Sequence, residues 1–258
     1  MKVSIRNLNV KYMPKSKFEV NALKNVYMEI NSYNFYTIVG NSGSGKTTLV
    51  KSLSALRIGK DINIFFNGKP LSKKYKHNKD LLKYKSDLAT TFQFPDHQIF
   101  SKSVEDELKL IEKYKKIKIN RDEFSSILSD LGFKNFDLFS LCPLIMSDGE
   151  KRKLVIALSI ISNAKIIILD EPTTGLDPVS EKRVLEILLK QKEMGKAVIM
   201  ITHNIRNAYS YSDYVFVLNK GIIAKHGSPE ILRDKEFMKS VNLYSPYEII
   251  GSLKRSET

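Results

Sequence analysis

The chain has 258 residues, of which 42% are apolar, enough for a sizeable core and too many for wholesale disorder. Lys and Arg number 42 against 28 Asp and Glu, a formal net charge of +14; this fits an acidic partner such as nucleic acid, anionic lipid or polyphosphate, or plain lysine filling of exposed positions. Cys142 is the single cysteine, which excludes an intrachain disulfide and a cysteine-rich zinc site, and no leader-like start or run of ~18 uninterrupted apolar residues stands in the sequence, so a cytoplasmic chain that reaches a membrane only through a partner is expected.

In chain order, Val3 to Val10 alternates apolar and polar residues as a strand does, and Leu23 to Ile30 reads as a second strand. Phe35 to Val39 leads into a glycine-rich turn, and Lys46 to Leu56 reads as a helix. Ile62 to Phe66, followed by Asn67-Gly68, predicts a strand ending in a tight turn. From about Ser101 to Asn163 strand signals vanish, and helical spacing of Val104, Leu108 and Ile111, then of Phe124, Ile127, Leu128 and Leu131, predicts a helical insertion. Ile166 to Leu169 is a buried strand by composition. A helix around Ser180 to Glu193 is stopped by Gly195, and Ala197 to Ile201 and Val215 to Leu218 are further buried strands. Strand–helix alternation with continuous apolar strands predicts an α/β fold, its largely parallel sheet covered on both faces.

Gly40-Asn41-Ser42-Gly43-Ser44-Gly45-Lys46-Thr47 satisfies G-x-x-x-x-G-K-[ST] between an expected strand and an expected helix. Gly40, Gly43 and Gly45 let the backbone curl so that its N–H groups face phosphate oxygens, and the helix that follows adds its positive end. Lys46 brings a cation to the β and γ phosphates, and the Thr47 hydroxyl is a candidate Mg²⁺ ligand. A nucleoside triphosphate is the expected ligand.

Asp170 and Glu171 close the apolar strand Ile166 to Leu169. At that strand end Asp170 is placed to reach a Mg²⁺ water beside Thr47, and Glu171 is a candidate base for the attacking water. His203 ends another apolar strand, where a parallel sheet displays its ligands, and is a candidate γ-phosphate contact.

Together with Ser147-Asp-Gly-Glu-Lys-Arg152 and Gly175-Leu-Asp177, these residues resemble the ATP-binding-cassette (ABC) ATPase family over nearly the whole chain. The resemblance implies a P-loop NTPase fold: a RecA-like core with an antiparallel β subdomain and an inserted α-helical subdomain. The cassette would span 1–225, with core 1–95 and 164–225 and helical subdomain 96–163. Residues 226–258 would form a C-terminal extension, a candidate dimerisation element. It implies two cassettes sandwiching two ATP molecules head to tail. Nucleotide contacts would come from Tyr12, stacking on adenine, and from Gly40 to Thr48. Mg²⁺ ligands would be Thr47, Gln93 and Asp170. Glu171, His203 and Gln93 would be catalytic, Asp177 would be the D-loop aspartate, and Ser147, Asp148, Gly149 and Glu150 would face the partner's ATP.

The segment Phe92-Gln-Phe-Pro-Asp-His-Gln-Ile-Phe100 resembles the ATPases of energy-coupling-factor importers of vitamins and metals. Pro95 is expected to break the strand and expose Phe94, Ile99 and Phe100, an apolar cluster suited to a helix of a membrane partner, or else to filling the subdomain junction. Asn242 to Ile250 resembles the same group more weakly. The implied partners are a second cassette, a heterodimer over a homodimer, with an integral-membrane subunit and a substrate-binding membrane subunit. A motor for import at the cytoplasmic face of the membrane competes with a nucleic-acid-linked ATPase and with a nucleotide-binding regulatory subunit. The single cassette, without a long coiled-coil interruption, argues against nucleic acid. Lys46, Asp170, Glu171 and His203 argue against a purely regulatory role.

The signature departs from the family's L-S-G-G-Q: Met146-Ser-Asp-Gly-Glu150 stands there instead. Ser147 and Glu150 form an S-x-x-E capping box, so a helix is expected to begin at this point. Asp148 would put a carboxylate where a partner's polyphosphate arrives, so an asymmetric dimer with one weakened site is expected, unless Asp148 simply faces solvent. Asn204 stands where the family often has Asp. The basic groups Lys73 to His77 and Lys113 to Lys118 read as solvated loops or as lipid contacts.

Overall fold

In chain order the elements begin with β1 (Lys2–Tyr12), β2 (Val20–Asn31), β3 (Asn34–Val39), α1 (Lys46–Leu53), β4 (Ile64–Phe66), β5 (Lys69–Pro70), α2 (Lys79–Ser86) and β6 (Leu88–Thr91). After them come α3 (Val104–Lys115), α4 (Arg121–Asp130), α5 (Asp148–Ile161), β7 (Ile166–Asp170), α6 (Pro178–Glu193), β8 (Ala197–Ile201), α7 (Ile205–Tyr211), β9 (Tyr214–Asn219), β10 (Ile222–Gly227) and α8 (Lys235–Ser240). The computed structural model describes residues 1–56, 63–71, 79–134 and 138–246. Ile62, the Lys73 to His77 run and the end of the Asn242 to Ile250 segment lie outside them.

Two sheets result. One is antiparallel, in the order β2-β1-β4-β5; the other runs β10-β9-β3-β8-β7-β6, parallel except for β10 at its edge. The expected parallel sheet with both faces covered is present, and alternate residues of its central strands supply two different cores. Ile166 and Ile168 of β7, with Ala197, Ile199 and Ile201 of β8, join the core shared with β1, β2 and α1. Ile167, Leu169, Val198 and Met200 point the other way, into the core built with α3 to α6. A third, smaller core joins Val215 and Val217 of β9 to α7 and α8.

Among the described residues from 96 to 163 there is no strand, and α3, α4 and α5 occupy this stretch. Residues 154–161 of α5 are buried on every side, because the helix is sandwiched between the large sheet and its neighbouring helices. Strand β10 crosses the boundary expected at residue 225, since His226 and Gly227 still pair with β9.

Several element ends differ from expectation for local reasons. Helix α1 stops at Leu53, not Leu56. Ala55 enters the left-handed region at φ 53°, and the bonds Ala55 N–H to Ser52 O (3.0 Å) and Leu56 N–H to Lys51 O (3.1 Å) close a Schellman turn that usually carries glycine. Helix α6 starts at Pro178, two residues before Ser180, because Asp177 caps it and proline is preorganised for the first helical position. Lys115 belongs to no solvated loop: on α3 it donates to Ser86 O at 2.8 Å and Leu88 O at 3.0 Å, and burial pushes its ammonium down to about 8.

Packing on both faces sets an expected contrast. Ile168→Ala, at a position with no exposure in β7, should lower the unfolding free energy by about 2–5 kcal/mol in urea. Ile222→Ala on the edge strand, 46% exposed, should change it by no more than about 0.5 kcal/mol. Equal losses at the two positions would mean that the large sheet is not covered on both faces.

Candidate nucleotide site

The turn from Gly40 to Thr47 joins β3 to α1, so the first helical N–H groups open into the bend. Two of its glycines are required for different reasons. Gly43 adopts φ 75°, which other residues rarely tolerate, whereas a Cβ on Gly40 would sit 2.2 Å from Leu218 O. Lys46 Nζ donates to Gly40 O at 2.7 Å and Asn41 O at 2.9 Å, holding the turn closed on its own carbonyls. Asn41 Nδ2 in turn donates to Val241 O at 2.7 Å, tying the turn to the end of α8.

A cavity of about 860 Å³ opens over this turn. Its wall brings together Ser42, Gly43, Gly45, Lys46, Thr47 and Thr48 with Tyr12, Gln93, Asp170, Glu171 and His203. Eleven expected site residues from five separate chain segments thus meet at one end of the parallel sheet, where open α/β folds bind ligands. Tyr12 Oη is 3.2 Å from Thr48 Oγ1, which anchors the aromatic ring beside α1. Buried Gly40 and Ser44 and half-buried Asn41 shape the turn from behind, outside the cavity wall.

The charges here are coupled. Burial, and then the neighbouring Glu171, push the Asp170 carboxyl up to about 6, against the pull of Lys46. Burial holds the Lys46 ammonium below the usual lysine range, and both carboxylates oppose that shift. Glu171 is strongly determined in place: Oε1 lies 2.9 Å from His203 Nδ1, and Oε2 accepts from Thr174 and Thr202 hydroxyls at 3.2 Å each. Its backbone sits at φ 53°, kept there by Glu171 N–H to Ile201 O (2.8 Å) and by Arg152 Nη1 donating to Glu171 O (2.7 Å).

The residues expected to face a partner stay out of this cavity. Ser147 caps α5 in the expected capping box, with Glu150 Oε2 accepting from Ser147 N–H at 3.0 Å and from its hydroxyl at 2.7 Å. Asp148 and Gly149 open the first turn, and Asp148 is exposed. Asp177 caps α6 by accepting from the Val179 and Ser180 N–H groups at 3.0 Å each. The expected apolar cluster after Gln93 is corrected: Phe94 and Phe100 are exposed, but Ile99 is 3% exposed. A 3₁₀ turn from Pro95 to His97 rotates Ile99 inward.

Sequence reasoning missed the residues that hold these segments to one another. Gln98 accepts from Phe92 N–H at 2.6 Å and donates to Thr90 O at 2.7 Å, bracketing Gln93. Buried Glu107 accepts from the Phe100 and Ser101 N–H groups at 2.7 Å each. Lys151 of α5 pairs with Asp96 at 2.7 Å. Gln98 and Asp96 lie in the segment Phe92 to Phe100, and Lys151 and Arg152 in the one that begins at Ser147, but nothing in their spacing told whom they would meet.

Among the described residues no group of three or more His, Cys, Asp or Glu forms a ready metal cage, and no helix is long and apolar enough to cross a membrane. The family described as ABC transporter matches residues 23–174. The chain is 34% identical over 235 residues to the energy-coupling factor transporter ATP-binding protein EcfA2 of Staphylococcus epidermidis, covering 90% of this chain and 82% of that protein. It is 31% identical over 252 residues to the corresponding EcfA3 of Oenococcus oeni, covering 96% and 87%. Among solved structures, cbiO1 of Clostridium perfringens, described as part of the ABC transporter complex cbiONQ, superposes with a TM-score of 0.73 at 30% identity over 98% of both chains.

The raised carboxyl has a measurable consequence. The acid form of Asp170 is favoured in the folded chain, so its contribution to stability is complete below the ordinary value of 3.8 and is lost as pH rises through about 6. Without nucleotide, Asp170→Asn should therefore be more stable than the parent at pH 7, by about 1–3 kcal/mol. The gap should narrow as pH falls toward 4, as read by thermal melts. A gap independent of pH would show that Asp170 is not the group being strained.

Proposed function

The chain belongs to the ABC transporter family, and from that premise we propose that it is the ATP-hydrolysing subunit of an energy-coupling-factor type importer. It would bind at the cytoplasmic face of the membrane and drive uptake of a micronutrient, a vitamin or a transition-metal ion, through integral-membrane partners. The observation that carries the reading is the meeting of the phosphate turn, Asp170, Glu171 and His203 in a single cavity.

ATP enters with its phosphates over the turn, and Lys46 exchanges the carbonyls of Gly40 and Asn41 for phosphate oxygens. Tyr12 offers its ring face to the adenine. Glu171, oriented by His203, Thr174 and Thr202, takes a proton from water as the water oxygen bonds to the γ-phosphorus. The bond from that phosphorus to the β–γ bridging oxygen breaks, leaving ADP and inorganic phosphate. His203, largely exposed on the cavity side, is placed to contact the γ-phosphate.

Thr47, Gln93 and Asp170 offer only oxygen donors on the same wall, and the two buried carboxylates against one lysine leave an excess of negative charge; both features fit Mg²⁺. Bound there, the ion would neutralise charge on the transferring phosphate.

Signature residues 147–150 and Asp177 stand outside the chain's own cavity, which supports a sandwich in which they serve a second cassette's nucleotide. The exposed Phe94 and Phe100 beside Gln93 support a docking site for a helix of a membrane subunit. Asp148 on the first turn of α5 supports a heterodimer over a homodimer, because its carboxylate opposes a phosphate arriving at that helix end.

Two measurements test this. Glu171→Gln in the assembled transporter should lower kcat about 10²–10⁴-fold while ATP is still bound; retained turnover would remove Glu171 as base. Asp148→Gly should tighten ATP about two- to fivefold at the site completed by this chain's signature loop, and at that site alone. Unchanged affinity and turnover at both sites would reject the asymmetric reading.

A further inference from the structure

Glu181 lies on the first turn of α6, bonded through its N–H to the carbonyl of Asp177 at 2.8 Å. Its Oε1 accepts from Asn204 Nδ2 at 3.3 Å and from Asn207 Nδ2. Asn204 caps α7, its Oδ1 accepting from Asn207 N–H at 3.2 Å. The Asn204 N–H donates to Thr202 Oγ1 at 3.0 Å, and that hydroxyl donates to Glu171 Oε2 at 3.2 Å. Thr202 is 1% exposed and Asn207 6%, so the end of this chain of bonds nearest Glu171 is shielded from water, while Glu181 and Asn204 are half-buried.

The consequence follows from counting protons. A threonine hydroxyl has one proton to give. With the Asn204 N–H already occupying a lone pair, the Thr202 proton is left pointing at Glu171. Asn204 stays in that place because its amide is held from both ends, by Asn207 on its oxygen and by Glu181 on its nitrogen. An aspartate here would keep the cap on α7 but present a carboxylate to Glu181, and like charges at that separation repel.

The geometry points to Glu181 and Asn204 as positioning residues that set the orientation of Glu171 from the start of α6. Asp177, one turn earlier, is then joined to the hydrolytic carboxylate by four hydrogen-bonded steps: Asp177 to Glu181, to Asn204, to Thr202, to Glu171. A displacement of the α6 start, such as a docking second cassette would produce, reaches Glu171 along this path. This inference rests on the reading of Glu171 as the base.

The test is MgATP hydrolysis by the assembled transporter, with ATP binding measured in parallel on the purified chain. Asn204→Asp should lower kcat about tenfold with KM and ATP affinity within about twofold, and its melting temperature should stay near the parent's because the α7 cap survives. Adding Glu181→Gln removes one of the two facing carboxylates and should restore kcat to within about threefold. The inference is overturned if Asn204→Asp turns over at the parent rate, or if the second substitution restores nothing. A loss of ATP affinity equal to the loss of kcat would reduce the pair to a folding role and overturn it too. Should the parent complex bind ATP without hydrolysing it, the role of Glu171 fails first and this inference goes with it.

Discussion

Two carboxylates side by side at the end of a buried strand are the constraint on which the rest is built. Asp170 and Glu171 follow four consecutive isoleucine and leucine residues in β7, all with 1% exposure or less, so neither charge can retreat into water. Left alone, the pair would protonate or unfold the strand end. Lys46 from the turn after β3 offsets part of this charge, and the threonines and His203 spread what remains around Glu171. The strand end is therefore short of positive charge, while the turn before α1 offers N–H groups to a polyphosphate.

Helix α5 distributes that constraint. Its N-terminal turn faces outward with Ser147 and Asp148, Lys151 reaches back to Asp96 in the turn after Gln93, and Arg152 reaches the Glu171 carbonyl. Two segments that would otherwise move independently are thus fastened to consecutive positions of one rigid element. Residues 154–161 of α5 are buried on all sides, so its axis cannot shift without disturbing the core between sheet and helices. Whatever contacts the exposed end of this helix is mechanically connected to the chemistry, through hydrogen bonds with named partners and not through proximity alone.

The parts of this arrangement that the sequence displays are those made by neighbours in the chain. The turn at residues 40–47, the acidic end of β7, the capping box at Ser147 and the Asn67-Gly68 turn each need only a few consecutive residues, and each is where the pattern places it. Continuous apolar strands likewise announce a sheet covered on both faces. What stayed hidden depends on partners far away in sequence: Lys151 meets a residue 55 positions earlier, and Arg152 one 19 positions later. Ile99 was expected to be exposed and is buried, because the break at Pro95 takes the form of a 3₁₀ turn, whose side-chain directions the apolar pattern does not reveal. Asn204 carried no signal of its own, since its meaning lies in Glu181 on another helix.

The backbone of Glu171 shows why these distant fasteners are necessary. A non-glycine residue at φ 53° costs roughly 1–2 kcal/mol against the ordinary strand conformation, and it persists only where its surroundings outweigh that cost. Here the Glu171 N–H donates to the β8 carbonyl of Ile201 and Arg152 donates to the Glu171 carbonyl, which holds the main chain, while three side chains hold the carboxylate. Without the left-handed kink the chain would continue as β7, and the next side chain would turn toward the opposite face of the sheet. The kink places both Asp170 and Glu171 on the cavity wall, which an extended strand with its alternating side chains cannot do for two consecutive residues. The catalytic geometry proposed for this chain is thus a departure from regular secondary structure, stabilised by residues from α5, β8 and the loops on either side.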